Sequence, residues 1–139
     1  MKIDEALADC IMRFEGWVAP QATTFKVGST SWRNRNPGNL RPYNADQPKD
    51  DKGYRIFETL ADGWLALLAD ITIKLTGQSA HKLTTQNTLF DFFSIYAPPT
   101  DNNDPQHYAR TIAAWLNFIY NTNLITPDTK LIDLVKFGT

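Results

Sequence analysis

Apolar residues recur at helical spacing through most of the chain, and this periodicity most constrains the fold. Residues three or four positions apart lie on one face of a helix, so each apolar stripe predicts a helix packed on a core. Together the stripes predict a mainly α protein with about five helices. The stripes are Ile3, Leu7, Cys10, Ile11 and Phe14; Leu60, Trp64, Leu67, Leu68, Ile71 and Leu75; Leu89, Phe92, Phe93 and Tyr96; Tyr108, Ile112, Trp115, Leu116 and Ile119; and Leu131, Leu134 and Val135.

Capping residues predict where these helices begin and end. Side chains that accept hydrogen bonds from the first turn of a helix stand before the last four stripes. Glycine or a proline pair follows three of the stripes, where a helix must stop. The starts are Thr59 with Asp62, Thr88 with Asp91, Asp104 with Pro105, and Thr126 with Pro127; the stops are Gly16, Gly77 and Pro98 with Pro99.

The length and charge of the chain exclude several classes of protein. Its 139 residues fit a single domain, residues 1–139, with a core that needs no disulfide or metal. Fourteen Lys and Arg oppose fifteen Asp and Glu, so no broad basic field is present to bind nucleic acid. Cys10 is the single cysteine and no Cys/His pair has metal-ligand spacing, so we expect neither metal nor cofactor.

The sequence contains no run of about 18 apolar residues, which predicts no membrane-spanning helix. The segment MKIDEALADC carries acidic residues where a secretory signal would have an apolar core. We therefore expect no signal peptide. A protein of this kind that acts outside the cytoplasm would need another release route.

A long non-helical segment, from Trp17 to Glu58, separates the first two predicted helices. Connections of this length are unusual in small domains and commonly carry function. The segment includes SWRNRNPGNLRPY, a polar turn rich in arginine and asparagine. The alternation in GYRIF, residues 53–57, predicts a small hairpin with residues 40–43.

Glu15 is the first candidate for acid chemistry. At about 100° per residue it falls beside Ala8, Ile11 and Met12, at the border of the apolar stripe. Partial burial there would raise the pKa of its carboxyl group, as a general acid requires. The alternative is a solvated glutamate in the last turn of a helix.

Four segments in this order resemble the lysozyme-like proteins of phages and prophages, related to lytic transglycosylases and endolysins. They are IMRFEGW, RNRNPGNLR, YRIFETLADGWLALLADI and YAPPTDNNDPQHYARTIAAWL, and the resemblance covers about residues 5–120. Family members commonly have an acidic residue and glycine that end the first helix and an Asn-Asn-Pro-Gly-Asn turn. Here the turn begins with Arg35, where many relatives have asparagine.

The resemblance implies an α+β lysozyme-like fold and a general acid at Glu15 that cleaves the β-1,4 bond between N-acetylmuramic acid (MurNAc) and N-acetylglucosamine (GlcNAc). Many glycosidases use a second carboxylate about 5–9.5 Å away. Asp101, Asp104 and Glu58 are available, although each has an ordinary explanation as a cap or turn residue. Without a second carboxylate, the substrate's N-acetyl group would assist and an anhydro sugar would form. Transglycosylase and muramidase outcomes both remain open.

Other polar residues suit a sugar ligand. Asparagine amides donate and accept hydrogen bonds at once, and arginines could bind the lactyl or peptide carboxylates of peptidoglycan. The alternatives are a solvated turn for the asparagines and arginines and a core position for Tyr108. The candidate substrate-binding residues are Arg35, Asn36, Asn39, Arg41, Tyr96, Asn103 and Tyr108.

The resemblance therefore predicts a peptidoglycan-cleaving glycosidase whose partner is the glycan strand. We expect a monomer that is made in the cytoplasm and released to the cell wall, or that is carried in a phage particle. The main alternative is a non-catalytic virion component or cell-wall glycan-binding module that keeps the fold.

Overall fold

The structure is a computed structural model that describes residues 1–17, 28–79, 83–98 and 103–138. Within these ranges the protein is mainly helical, as predicted, and has no β-strand. No helix in the described part of the chain is long and apolar enough to cross a membrane. The elements are α1 Ile3–Phe14, α2 Thr30–Arg33, α3 Leu60–Leu75, α4 Leu89–Tyr96, α5 Pro105–Tyr120, α6 Leu131–Leu134 and a 3₁₀ helix Val135–Gly138.

The chain divides into two compact units. One comprises Ile11–Ala69 and contains the long loop, and we call it the loop unit. The other comprises Met1–Cys10 with Asp70–Thr139, and we call it the helical unit. The chain passes from one unit to the other inside α1 and again inside α3.

Helix α1 ends at the glycine that the sequence predicts as its stop. Gly16 has a φ of +76°, in the left-handed region that residues with a Cβ adopt only at a cost. The amides of Gly16 and Trp17 turn back to the carbonyls of Arg13 and Met12, at 3.1 and 3.2 Å. This pair of bonds is the Schellman arrangement, and it makes Glu15 the last residue before the chain leaves the helix.

The core of the helical unit is formed where α4 packs against α5. The rings of Phe93 and Tyr108 stack with their centroids 4.2 Å apart. Both helices begin as predicted: Thr88 and Asp91 form a complete capping box, and Asp104 caps α5 with Pro105 in its first turn. The fully buried residues of these two helices include Leu89, Phe92, Phe93, Ala109, Ile112 and Leu116.

Helix α6 begins later than the sequence predicts. Thr126 and Pro127 open a turn rather than a helix, and α6 starts at Leu131. The reason is that the carbonyls of Pro127 and Thr129 accept hydrogen bonds from the first amides of α4, each at 2.9 Å. Those amides have no partner within α4, and the extended segment supplies one.

The C-terminal stripe packs into the helical unit as predicted. Leu131 and Leu134 are both fully buried, whereas Val135 is exposed. The Tyr120 hydroxyl also donates to the Met1 carbonyl at 2.9 Å, and the Tyr120 ring lies against Phe137. The 3₁₀ helix therefore contacts the end of α5.

The polar turn of the loop unit starts with a helix that the sequence analysis did not predict. Ser29 caps the single turn of α2 by accepting a hydrogen bond from the Trp32 amide at 3.3 Å. After α2, Arg35 and Asn39 both have positive φ, at 51° and 49°. These left-handed residues fold the turn compactly.

The hairpin in this unit pairs differently from the prediction. Residues 53–57 make one backbone bond to the predicted segment, from the Arg55 amide to the Leu40 carbonyl at 2.9 Å. Their β-bridge instead joins Arg55 to Lys49. The Asp50 carboxylate accepts hydrogen bonds from the Lys52 and Tyr54 amides, each at 2.9 Å, and this local turn favours the nearer partner.

Gly63 allows the first turn of α3 to lie directly on the polar turn. A Cβ at this position would collide with the Arg35 carbonyl oxygen, and it would approach the Pro37 ring at 3.1 Å. Gly63 is itself buried. The glycine in the ADGW segment is therefore required by packing within the loop unit.

We predict that Gly63→Ala destabilises the protein by roughly 1–3 kcal/mol, because the added methyl group overpacks this contact. Alanine has the higher helix propensity, so the same change at an open helical position would stabilise the protein. The sign of the change in unfolding free energy, measured with urea, therefore shows whether overpacking or helix propensity has the larger effect. An unchanged or higher unfolding free energy would contradict the packing interpretation.

Candidate active site

Glu15 lies at the C-terminal end of α1, in the loop unit. Its amide donates to the Ile11 carbonyl at 2.8 Å, and its side chain is half-buried. Burial raises the pKa of the Glu15 carboxyl group to about 7, and a hydrogen bond from the Asn39 side chain partly opposes the rise. The carboxyl group therefore holds a proton near neutral pH, as expected for a general acid.

Asn39 brings the polar turn to Glu15. Its backbone is left-handed, with a φ of +49°, and its amide donates to the Asn36 carbonyl at 3.1 Å. This conformation places the Asn39 side chain in hydrogen-bond contact with the Glu15 carboxyl group. The Asn39 Oδ1 atom is buried, and no donor in the described part of the chain bonds to it.

Asn36 shapes the turn from within. Its Nδ2 donates to the carbonyls of Leu40 and Arg55, both at 2.9 Å, and its Oδ1 accepts from the Leu40 amide at 2.9 Å. The residue is fully buried. The Asn36 amide is therefore not solvated, and its hydrogen bonds hold the turn together from within.

The two candidate arginines occupy different positions in the loop unit. Arg35 is exposed and donates through Nη1 to the Phe57 carbonyl at 3.3 Å. Arg41 lies with its guanidinium carbon 4.4 Å from the centre of the Tyr54 ring and donates to the Lys52 carbonyl at 2.8 Å. Both guanidinium groups are thus oriented by contacts with the same hairpin.

Tyr96, Asn103 and Tyr108 belong to the helical unit. Tyr108 is buried against Phe93, in the core position that helical periodicity offers as the alternative to a sugar contact. Tyr96 is half-buried, and the Lys74 ammonium lies 5.5 Å from its ring centre. Asn103 is exposed and donates to the Pro98 carbonyl at 3.4 Å.

The candidates for a second carboxylate have separate surroundings. Asp104 caps α5 by accepting from the His107 amide at 3.1 Å. Glu58 is exposed in the loop unit, and Asp101 lies outside the described residues. Among the described residues, no neighbouring charge contributes to the raised pKa of Glu15, and no group of acidic, Cys and His side chains could hold a metal ion.

Asp50 is a structural residue that the sequence analysis overlooked. Desolvation raises the pKa of its carboxyl group, but hydrogen bonds from Asn34 and from the Tyr54, Lys52 and Gly53 amides outweigh this effect and lower the pKa overall. The Asn34 bond is 2.8 Å long. An aspartate three residues before a glycine, as in DDKG, is a turn signal that could have identified it.

Comparisons with protein families, characterised proteins and solved structures found no match to this chain.

The arrangement of Glu15 and Asn39 suits proton transfer in both directions. A carboxylate accepts hydrogen bonds, whereas a protonated carboxyl group also donates one. The Asn39 amide carries a donor and an acceptor, so it can bond to Glu15 in either protonation state. A residue held in this way can give up a proton and take one back without losing its partner.

We predict that Glu15→Gln stabilises the protein at alkaline pH. Below about pH 4.5 Glu15 is protonated in both the folded and the unfolded state, so its ionisation does not affect the free energy of unfolding. As the pH rises from about 4.5 to 7 only the unfolded state ionises, and wild-type stability falls by up to about 3 kcal/mol. Urea unfolding at pH 4 and pH 9 measures this effect. A stability difference between variant and wild type that does not grow with pH would contradict the raised pKa.

We predict that Asn39→Gly raises the pKa of Glu15 further, because the hydrogen bond that favours the carboxylate is lost. Glycine accepts the left-handed backbone without strain. Asn121→Gly is a matched control, because Asn121 has a φ of +51° in the helical unit. NMR titration of the Glu15 side-chain carboxyl carbon follows the pKa directly, and an equal pKa in wild type and Asn39→Gly would contradict this role of Asn39.

Proposed function

We propose that this protein is a glycosidase that cleaves the β-1,4 bond between MurNAc and GlcNAc in peptidoglycan, with Glu15 as its general acid. The observation that carries the proposal is the burial of Glu15, which raises the pKa of its carboxyl group to about 7. A glutamate that remains protonated near neutral pH can protonate the oxygen of a leaving sugar.

The position of Glu15 supports this assignment. It is the residue that the family resemblance implies as the acid, and it follows the last helical turn of α1. The Asn-Pro-Gly-Asn turn, residues 36–39, supplies the side chain that bonds to it. Two of the four motifs that carry the resemblance therefore meet at one carboxyl group.

The reaction begins when the Glu15 carboxyl group donates its proton to the glycosidic oxygen and the bond from that oxygen to C1 of MurNAc breaks. The resulting Glu15 carboxylate then acts as a base. If it removes the proton of the C6 hydroxyl group, the C6 oxygen bonds to C1 and an anhydro sugar forms. If it removes a proton from water, the product has a reducing end.

The single carboxyl group and its partner fit this sequence of steps. Asn39 can donate to the Glu15 carboxylate and accept from the protonated form, so it can hold the side chain in place through both steps. This pairing favours a mechanism in which one residue acts first as acid and then as base.

We predict that the purified protein digests peptidoglycan and that Glu15→Gln lowers the rate at least about a hundredfold, the scale of general acid catalysis. Glu5→Gln, an exposed glutamate in the first turn of α1, is the matched control and should retain the wild-type rate. Mass spectrometry of the products distinguishes anhydro from reducing ends.

Four possible results bear on the proposal in different ways. Anhydro products would identify a lytic transglycosylase, and reducing ends a muramidase. A Glu15→Gln protein that is as active as wild type would disprove the role of Glu15. A wild-type protein that binds glycan strands but leaves several wall types intact would instead identify a glycan-binding module.

A further inference from the structure

A surface pocket of about 410 Å³ is lined by the end of the polar turn and by the loop that follows it. This volume is within the range of small-ligand sites. We call it the loop pocket, and its lining includes Arg41, Tyr43, Asn44, Gln47, Lys49 and Gly53. Two cations, two side-chain amides and an aromatic ring thus surround one cavity, and its described lining contains no carboxylate.

The guanidinium group of Arg41 is fixed in the wall of this pocket. It stacks on the Tyr54 ring and donates to the Lys52 carbonyl at 2.8 Å. Gly53 makes this position possible, because a Cβ there would lie 2.6 Å from Arg41 Nη1. A guanidinium group that is already oriented loses little conformational entropy when it binds a carboxylate.

Tyr43 adds an apolar surface to the same pocket. Its side chain is 70% exposed, although tyrosine usually buries much of its ring in a folded protein. The Tyr43 amide donates to Gln47 Oε1 at 2.7 Å, which fixes the loop on which the ring stands. An exposed ring beside a fixed guanidinium group suits a ligand that has both apolar and anionic parts.

The lining of the loop pocket begins two residues after Asn39, the hydrogen-bond partner of Glu15. Arg41 follows Asn39 by two residues, and consecutive Cα atoms are about 3.8 Å apart, so the two Cα atoms lie within about 7.6 Å of each other. Asn39 bonds to the Glu15 carboxyl group. The wall of the pocket and the residue that bonds to Glu15 therefore belong to one short segment of the loop unit.

We propose that the loop pocket binds the free carboxylates of the peptide that is attached to the muramoyl residue of peptidoglycan. The inference rests on the proposed function for its choice of ligand. Such a peptide is attached through the lactyl group of MurNAc, beside the scissile bond. Its amides can form hydrogen bonds with the side-chain amides of the pocket, and its methyl groups can pack on the Tyr43 ring. Arg41 and Lys49 bind its carboxylates by charge-assisted hydrogen bonds.

The test uses N-acetylmuramoyl-L-alanyl-D-glutamate and its neutral diamide as probes, with binding measured by calorimetry on the full chain. Neither probe contains a bond between two sugars, so the measurement does not depend on cleavage. We expect the acid to bind at least tenfold more tightly than the diamide. Arg41→Gln and Lys49→Gln should each weaken binding of the acid about tenfold, as expected for loss of a charged hydrogen bond.

Lys52→Gln is the matched control, because it removes the same charge from the same hairpin outside the pocket lining. It should leave the affinity for the acid within about twofold, since exposed charges at a distance are screened by salt. Lys49→Gln also keeps the test valid if Arg41→Gln disturbs the loop.

Equal affinity for the acid and the diamide would overturn the inference, and so would an equal loss in Lys52→Gln. Inorganic phosphate that competes as strongly as the acid would show a general anion site and would also overturn it. Binding of the acid without any cleavage of peptidoglycan would support the pocket and contradict the glycosidase. Cleavage without binding would do the reverse.

Discussion

The buried amide of Asn36 is the interaction on which the loop unit depends. It bonds to the backbone of Leu40 on one side and of Arg55 on the other, so one side chain fixes the turn to the hairpin. A buried polar group that loses its partner costs roughly 1–3 kcal/mol, and this amide satisfies three backbone groups at once. The turn that carries Asn39 and the hairpin that carries the loop pocket therefore share one anchor.

At Glu15 two opposing effects set the acidity of the site. Desolvation disfavours the carboxylate, and the Asn39 bond favours it. Desolvation is the larger effect, so the pKa rises to about 7 rather than falling below its ordinary value. Asp50, in the same unit, has the reverse balance: desolvation is the largest single influence, but four hydrogen bonds together outweigh it and lower the pKa. The number of hydrogen bonds that oppose desolvation therefore distinguishes the two carboxyl groups.

Much of the fold could be predicted locally. The caps at Thr88 and Asp104 and the glycine stop of α1 are formed by residues close together in the sequence, and these predictions are confirmed. The predicted start of α6 was wrong because the Thr129 carbonyl accepts a hydrogen bond from the first amide of α4, forty residues away in the sequence. The apolar stripe predicted for α3 is not buried at its first residue, since Leu60 is 46% exposed at the start of the helix. Periodicity gives the face of a helix but not where its packing ends.

The sequence alone determined the helical character of the chain, and it singled out Glu15 and the Asn-Pro-Gly-Asn turn, because periodicity, capping and turn chemistry act over a few residues. Only the tertiary structure decided that Asn39 bonds to Glu15 while Asn36 is buried within the turn. It likewise placed Arg41 and Lys49 around one pocket. These outcomes depend on burial and on contacts between distant segments, which no local pattern contains.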